Sequence, residues 1–169
     1  MPPRLERRTT LPLLRTSTSK AVSSSAQSVL TLPVRRLRPD AILPCYGRPG
    51  DAGLDLFSAE AYELAPGERR AFSTGIALAV PTGYVGLVWD RSGLAVSAGI
   101  TTLGGVIDAT YRGEVKVPLL NASEQRYAIQ VGDRIGQLLV QPLPAIEVSE
   151  VAALDDTPRG VAGFGSSGR

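Results

Sequence analysis

From Leu30 onward the chain alternates apolar and polar residues in short runs, and glycine, proline or asparagine interrupts each run. Val34–Arg38 is the first such run. Ala52–Ala59 alternates around Leu54, Leu56 and Ser58. Tyr62–Leu64 and Arg69–Thr74 flank the turn pair Pro66-Gly67, and Gly75–Val80 and Gly83–Trp89 flank Pro81-Thr82-Gly83. Glu114–Leu120, Arg126–Gln130, Gln137–Pro142 and Ile146–Val151 follow. A period of two marks a strand with one face in a core, and the turn residues mark where each strand ends. One segment, Ser92–Ala98, reads as a helical turn, and no internal repeat emerges. Many short strands with this punctuation predict an all-β fold, a jelly roll or β-barrel.

The two ends depart from the pattern. Residues 1–29 are rich in Ser, Thr and Arg with no sustained period, which predicts a disordered extension. Their composition also resembles an organellar transit peptide, with too little apolar sequence for a secretory signal. Gly160–Arg169 is a Gly/Ser segment with a single aromatic, Phe164. The expected organisation is an extension over 1–29, a barrel over 30–158 and a flexible lid over 159–169.

Composition narrows the chemistry. There is no histidine among 169 residues, which removes His triads and His metal sites. Cys45 is the only cysteine, which removes an intrachain disulfide and a cysteine zinc cluster. A chain without disulfides suits the cytoplasm, although targeting by residues 1–29 stays open. No apolar run approaches the ~18 residues of a membrane span, so no membrane partner is expected. The net charge of +2 is uneven: Arg4, Arg7, Arg8, Arg15 and Lys20 stand against Glu6 in the leader. The body is mildly acidic, which argues against nucleic acid as a partner. Any catalysis must therefore come from carboxylates, hydroxyls, Arg or Lys, and a hard cation held by oxygen.

Five polar or Gly-rich segments interrupt the strands. In Asp51-Ala52-Gly53-Leu54-Asp55-Leu56, Asp55 lies on an apolar strand, where a carboxylate needs a partner or a cation. The plainer alternative is a turn aspartate capping a strand. In Asp90-Arg91-Ser92-Gly93, free N–H groups at a helix start, a hydroxyl and an Arg suit an anion, or Ser92 is simply an N-cap. In Gly104-Gly105-Val106-Ile107-Asp108-Ala109-Thr110-Tyr111-Arg112-Gly113-Glu114, the glycine pair permits a hairpin that approaches a flat ligand. Asp108 there is either a general base or a salt-bridge partner of Arg112. Gly132-Asp133-Arg134-Ile135-Gly136-Gln137 reads alone as a turn before a strand. Arg159 to Gly168 combines an Arg, hydroxyls, bare N–H groups and Phe164, and is either a cover for a ligand or a solvated terminus.

The five segments in this order resemble the motifs of the homotrimeric dUTPase family, from roughly Pro33 to Arg169. That resemblance implies a jelly-roll-like β-barrel and three active sites at subunit interfaces, each built from three chains. It implies hydrolysis of dUTP to dUMP and diphosphate with Mg²⁺, which limits uracil in DNA and supplies dUMP for thymidylate synthesis. By the same resemblance, Asp55 holds Mg²⁺ through water, and Arg91, Ser92 and Gly93 bind the α- and β-phosphates. The Gly104–Asp108 hairpin reads uracil through backbone groups at Val106 and Ile107. Asp108 activates the attacking water, and Tyr111 stacks on the deoxyribose and excludes a 2′-hydroxyl. Lys116 belongs to the nucleotide site, and Gln137 contacts the α-phosphate or the water. Arg159, Ser166 and Ser167 engage the γ-phosphate, Phe164 covers the uracil, and Gly165 between them completes the substrate-binding set. Two departures from the family pattern stand out: no Asn occurs in the short Thr101–Gly105 stretch, and Ala162 replaces a usual Gly. Base discrimination then depends more on backbone geometry. The competing readings are a dCTP deaminase of the same fold, against which Asp108 and Phe164 argue, and a regulatory trimer without turnover.

Overall fold

A computed structural model describes residues 29–162. The strands and the helix all belong to one compact unit that begins at Thr31. Of the extension expected over 1–29 and the lid expected over 159–169, residues 1–28 and 163–169 lie outside the described residues.

Ten strands and one helix follow in order: β1 Val34–Arg36, β2 Leu54–Phe57, β3 Tyr62–Leu64, β4 Arg69–Leu78, β5 Tyr84–Trp89, α1 Ser92–Ala98, β6 Ile100–Thr102, β7 Val106–Ile107, β8 Glu114–Asn121, β9 Tyr127–Ile129 and β10 Arg134–Pro142. They form two four-stranded sheets, β1-β4-β8-β6 and β2-β10-β5-β7, and a ribbon, β3-β9. Every pairing is antiparallel. Leu56, Val88, Ile107, Ile135 and Leu138 of one sheet share a single core with Phe72, Ile76, Val117 and Leu119 of the other. Two sheets closing on one apolar layer is the jelly-roll-like arrangement that the alternation predicts. Phe72 is fully buried in that layer, and a side chain of that kind contributes on the order of 3–5 kcal/mol.

Three expectations need correction. Arg69–Thr74 and Gly75–Val80 are not two strands but one, β4. The glycine between them, at φ +68°, sits in a register shift between Ser73 and Ala77. The punctuation is a bulge inside a strand, where an extra residue is absorbed without ending the ladder. Second, Gly104–Asp108 is not a self-paired hairpin. β6 pairs with β8 in one sheet and β7 with β5 in the other, so Leu103-Gly104-Gly105 carries the chain between sheets. Third, Ile146–Val151 is not a strand: residues 144–162 are exposed and lie outside every sheet, with Ile146 80%, Val148 92% and Leu154 85% accessible. The alternation there has no partner among the described residues.

The helix matches its expected range. Arg91 rather than Ser92 is its N-cap and makes no side-chain cap bond, while Gly99 at φ +65° closes the C-terminal end. No helix among the described residues is long and apolar enough to cross a membrane.

Candidate functional site

β10 lies between β2 and β5, and its register sets Gln137 beside Asp55 on one side and Trp89 on the other. Side chains in register on adjacent strands share a face. The Asp55 carboxylate and the Gln137 amide therefore meet at one surface. Two residues beyond Trp89, Arg91 turns back and its Nε donates to Asp55 Oδ1 at 3.1 Å. Arg134 donates from Nη1 to Asp55 Oδ2 at 3.3 Å. A register shift between Arg134 and Gly136 marks an irregularity there. The Asp55 side chain is only 8% exposed. It is a buried, doubly ion-paired group inside a strand, not a turn aspartate. Two guanidinium groups offset a desolvation cost that would otherwise be roughly several kcal/mol.

These residues line a polar cavity of about 340 Å³ that also includes Arg48 and Asp51. Three arginines face two aspartates, so the cavity has a positive excess suited to an anion. Glycines shape it. A Cβ on Gly53 would lie 3.0 Å from both Cβ and Oε1 of Gln137. A Cβ on Gly47 would lie 3.2 Å from Asp51 Oδ2 and 3.3 Å from Asp55 Oδ2, so both carboxylates border one small space. Asp51 Oδ2 also accepts the Arg48 N–H at 2.8 Å and ties this turn.

A second cavity, of about 260 Å³, lies along the sheet-crossing connection. Gly104 and Gly105 adopt φ of +70° and +102°. A Cβ on Gly105 would come within 2.7 Å of the Val88 carbonyl oxygen, and Val88 N–H donates to Gly105 O at 2.7 Å. Only glycine allows this backbone to lie so close to β5. Ile107 is then buried and Val106 is 69% exposed at the cavity. Asp108 is exposed, and its carbonyl accepts Tyr111 N–H at 3.0 Å. Its carboxylate makes no hydrogen bond or ion pair among the described residues. The alternative salt bridge to Arg112 is absent there: Arg112 Nη1 donates to Ala109 O and Tyr111 O, both at 2.7 Å.

The Tyr111 hydroxyl donates to Glu114 O at 2.9 Å. Its ring folds over Gly113, where a Cβ would collide with it. The Glu114 carboxylate accepts from Gly75 N–H at 2.9 Å and from the Ser73 hydroxyl, which anchors β8 to the β4 bulge. Lys116 Nζ lies 4.0 Å from Glu114 Oε2 at the cavity edge.

The expected site residues thus fall into two groups. Asp55, Arg91 and Gln137 share the polar cavity, and Val106, Ile107, Asp108, Tyr111 and Lys116 share the other. Ser92 and Gly93 are exposed at the start of α1, outside both linings. Arg159 is exposed and donates from Nε to Ala162 O at 2.9 Å. Phe164, Gly165, Ser166 and Ser167 lie outside the described residues. The turn reading of Asp133 stands, since its Oδ2 accepts Gln130 N–H at 2.8 Å. Sequence reasoning missed Arg134, Arg48, Glu114 and Asp90. Arg134 had one signal, its position three residues before Gln137 in the same segment. Asp90 accepts from Thr102 N at 2.5 Å, Thr102 Oγ1 at 2.6 Å and Thr101 Oγ1 at 2.7 Å. Burial opposes its ionisation, but those bonds outweigh burial and hold the carboxyl below the usual carboxylate range. Its stabilising contribution is complete above the unfolded-chain value of about 3.9 and is lost as pH falls through the lower folded value.

An antiparallel jelly-roll-like body with a cationic cavity and a separate glycine-lined cleft defines an all-β protein of the kind that holds a phosphate-bearing ligand. A family model described as dUTPase matches residues 39–168. A deoxyuridine 5′-triphosphate nucleotidohydrolase of Thermobifida fusca is 50% identical over 138 residues, 80% of this chain and 77% of its own. That of Mycobacterium bovis is 49% identical over 146 residues, 82% of this chain and 95% of its own. Among solved structures, a Staphylococcus bacteriophage 80alpha dUTPase with dUPNHPP superposes with a TM-score of 0.74 at 31% identity, covering 83% of this chain and 100% of that one. A point mutant of the dUTPase from phage phi11 of S. aureus, whose structure concerns the coordination of a structural Mg(II) ion, gives 0.70 at 29% identity over 75% of this chain and 100% of that one. The chain belongs to the dUTPase family.

Proposed function

We propose that this chain hydrolyses dUTP to dUMP and diphosphate, limiting uracil in DNA and supplying dUMP for thymidylate synthesis. The observation that carries the reading is the cationic cavity around Asp55, Arg91 and Gln137 in a chain of the dUTPase family. Pyrophosphate release from dUTP, dCTP, dTTP and UTP, with and without EDTA, tests it. The expected result is dUTP turnover far above the rest, suppressed by EDTA. Deamination of dCTP as the main activity would sink the reading, and a protein without turnover would point to the regulatory trimer.

Mg²⁺ fits the polar cavity. It is usually held by one or two carboxylates, with water and substrate phosphates completing the shell. The space at Gly47 offers the oxygens of Asp51 and Asp55, and no cluster of three or more ligating side chains occurs among the described residues. Asp55 would hold the ion through water. When bound, the ion supplies charge neutralisation on the triphosphate.

In the mechanism, Arg91 neutralises α- and β-phosphate charge, aided by Ser92 and Gly93. Gln137 orients the water or the α-phosphate from its place beside Asp55. Backbone groups at Val106 and Ile107 read the uracil. Asp108 accepts the proton of the water as its oxygen attacks the α-phosphorus and diphosphate departs on the opposite side. Tyr111, held by Glu114 O, occupies the space of a 2′-hydroxyl. Lys116 flanks this cleft. Arg159, Ser166 and Ser167 act on the γ-phosphate, with Phe164 over the base and Gly165 between them. The chemistry is mostly positioning and charge neutralisation, as expected for phosphoryl transfer.

The working species is a homotrimer with dUTP as its partner. Two features support more than one chain per site. Asp55 and Asp108 line cavities that share no residue, and the apolar side chains of Ile146, Val148 and Leu154 are exposed along an unpaired segment. A second copy can cover that segment and bring one chain's phosphate cavity to another's pyrimidine cleft. Light scattering during size exclusion should give three times the chain mass. An active monomer would refute the interface assignment. We place the enzyme in the cytoplasm, where Cys45 remains an exposed free thiol.

A further inference from the structure

Asp90 stands between the Arg91 loop and the strand that leads to Gly104–Ile107 of the same chain, and belongs to neither set of proposed substrate contacts. It follows Trp89, the last residue of β5, and precedes Arg91, which is committed to Asp55. Its three acceptor bonds run to Thr101 and Thr102, the last two residues of β6. β5 and β6 belong to different sheets, so one carboxylate joins the exit of one sheet to the exit of the other. From β5 the chain continues into the Arg91 loop. From β6 it continues into Leu103-Gly104-Gly105 and the backbone at Val106 and Ile107. Asp90 also borders a cavity of about 270 Å³ with Thr102, Gly104, Gly105 and Val106.

We propose that Asp90 is a positioning residue for base selectivity, fixing the Gly104–Ile107 backbone against the Arg91 loop through Thr101 and Thr102. This rests on the dUTP reading above. The connection holds two consecutive glycines, whose freedom must be removed before backbone groups can measure a flat ring. No Asn side chain is present in the Thr101–Gly105 stretch to read the base edge, so the place of the backbone decides the fit. The β6–β8 and β5–β7 ladders and the Leu103 N–H to Pro118 O bond at 2.9 Å hold the two ends of this connection, and two further tethers tie it to the end of β5. One is the Val88 N–H to Gly105 O bond, and the other is the Asp90 carboxylate. Thr102 spends both its amide and its hydroxyl on Asp90, while Thr101 adds a third donor. Charge-assisted bonds of this kind are about twice as strong as neutral ones. Removing the acceptor leaves Leu103 on Pro118 O but cuts the entry to the glycine pair loose from the end of β5, without touching any group proposed to meet the substrate.

The test compares wild type, Asp90→Ala, Asp90→Asn and Thr101→Val/Thr102→Val by kcat/KM for dUTP, dTTP and dCTP. Asn keeps an oxygen acceptor for Thr102. The paired valines remove the two hydroxyl bonds, keep the carboxylate, the backbone amide bond at 102 and nearly the same side-chain volume, and they serve if Asp90→Ala does not fold. Asp90→Ala should lower the preference for dUTP about tenfold or more, chiefly through KM, the scale of a small misplacement at a site, and the paired valines should lower it in the same way by less. Asp90→Asn should keep most of the preference. Combining Asp90→Ala with the valines should add little further loss, as expected when both remove one interaction. Hydrogen exchange at the Thr102 amide, read without substrate, should rise in Asp90→Ala. Unchanged selectivity in folded Asp90→Ala overturns the proposal, as does an equal loss in Asp90→Asn. A wild-type chain that does not turn over dUTP overturns the dUTP reading instead, and a protected Thr102 amide in Asp90→Ala overturns the Asp90–Thr102 tether itself.

Discussion

Asp108→Asn should leave the fold and nucleotide binding nearly intact and lower dUTP turnover by at least about 10²-fold, the scale of general-base removal. The structure makes this substitution clean. Asp108 is exposed, and its carboxylate makes no bond among the described residues, so the amide disrupts no network. What Asp108 does structurally is done by its backbone carbonyl, which accepts Tyr111 N–H at 3.0 Å and survives the change. Asn has the same shape and keeps one oxygen acceptor, but it cannot take a proton from water at neutral pH. The loss should therefore appear in kcat, with affinity for a non-hydrolysable imido analogue unchanged. Single-turnover diphosphate release measures the first, and calorimetric titration of the analogue measures the second. Wild-type turnover in the mutant would remove Asp108 from the mechanism. A parallel loss of analogue binding would make it a binding group.

Asp108 also shows what the sequence made legible and what it did not. The strands were readable because burial on one face is a local property. Leu54, Leu56 and the β8 residues Val115, Val117 and Leu119 carry their period in consecutive residues, and the core uses them so. Asp108, Asp55, Arg91 and Gln137 were readable through their ordered resemblance to a family. The roles of Arg134 and Asp90 were not, because both depend on register. Arg134 reaches Asp55 across a ladder that sets residue 137 beside residue 55, and Asp90 meets Thr101 and Thr102 only because two sheets end side by side. The Asp90 relation leaves no local trace, and that of Arg134 leaves only its place three residues before Gln137.

The same reason accounts for the misplaced elements. Gly75 interrupts an alternation, and one sequence cannot tell a strand end from a bulge. The Gly104-Gly105 pair signals a sharp change of direction, and only pairing reveals that the change leads into another sheet. Ile146 and Val148 alternate as a strand should, yet they stay exposed. Alternation reports what a segment is able to bury. It does not report whether the surface that covers it lies on the same chain, and in the proposed trimer it lies on another.

Truncation after Pro158 should leave a folded trimer that is nearly inactive toward dUTP. The first half of that outcome follows from burial. Every described residue from 141 onward is exposed and none contributes to the core, so among the described residues the cut takes nothing from the packed sheets. Arg159 is bonded only within its own turn among the described residues, through Nε to Ala162 O. The segment kept, with Ile146, Val148 and Leu154, is the one proposed to need cover from another copy. The second half follows from chemistry. The cut removes a guanidinium, the hydroxyls of Ser166 and Ser167, and the ring of Phe164. An aromatic ring stacked on a base is worth about 1–3 kcal/mol. Charge-assisted bonds to phosphate oxygens add to that, and excluding water from the triphosphate strengthens every remaining charge contact. Each effect acts on the same bound nucleotide, so their joint loss should exceed any single one. Phe164→Ala should show a smaller loss than the truncation, and Arg159→Ala should mainly weaken response to the γ-phosphate. The deciding measurement is turnover of the truncated protein after light scattering has shown it to be trimeric. A rate equal to that of the full chain would make residues 159–169 a solvated terminus and leave the site to be completed by two chains, not three.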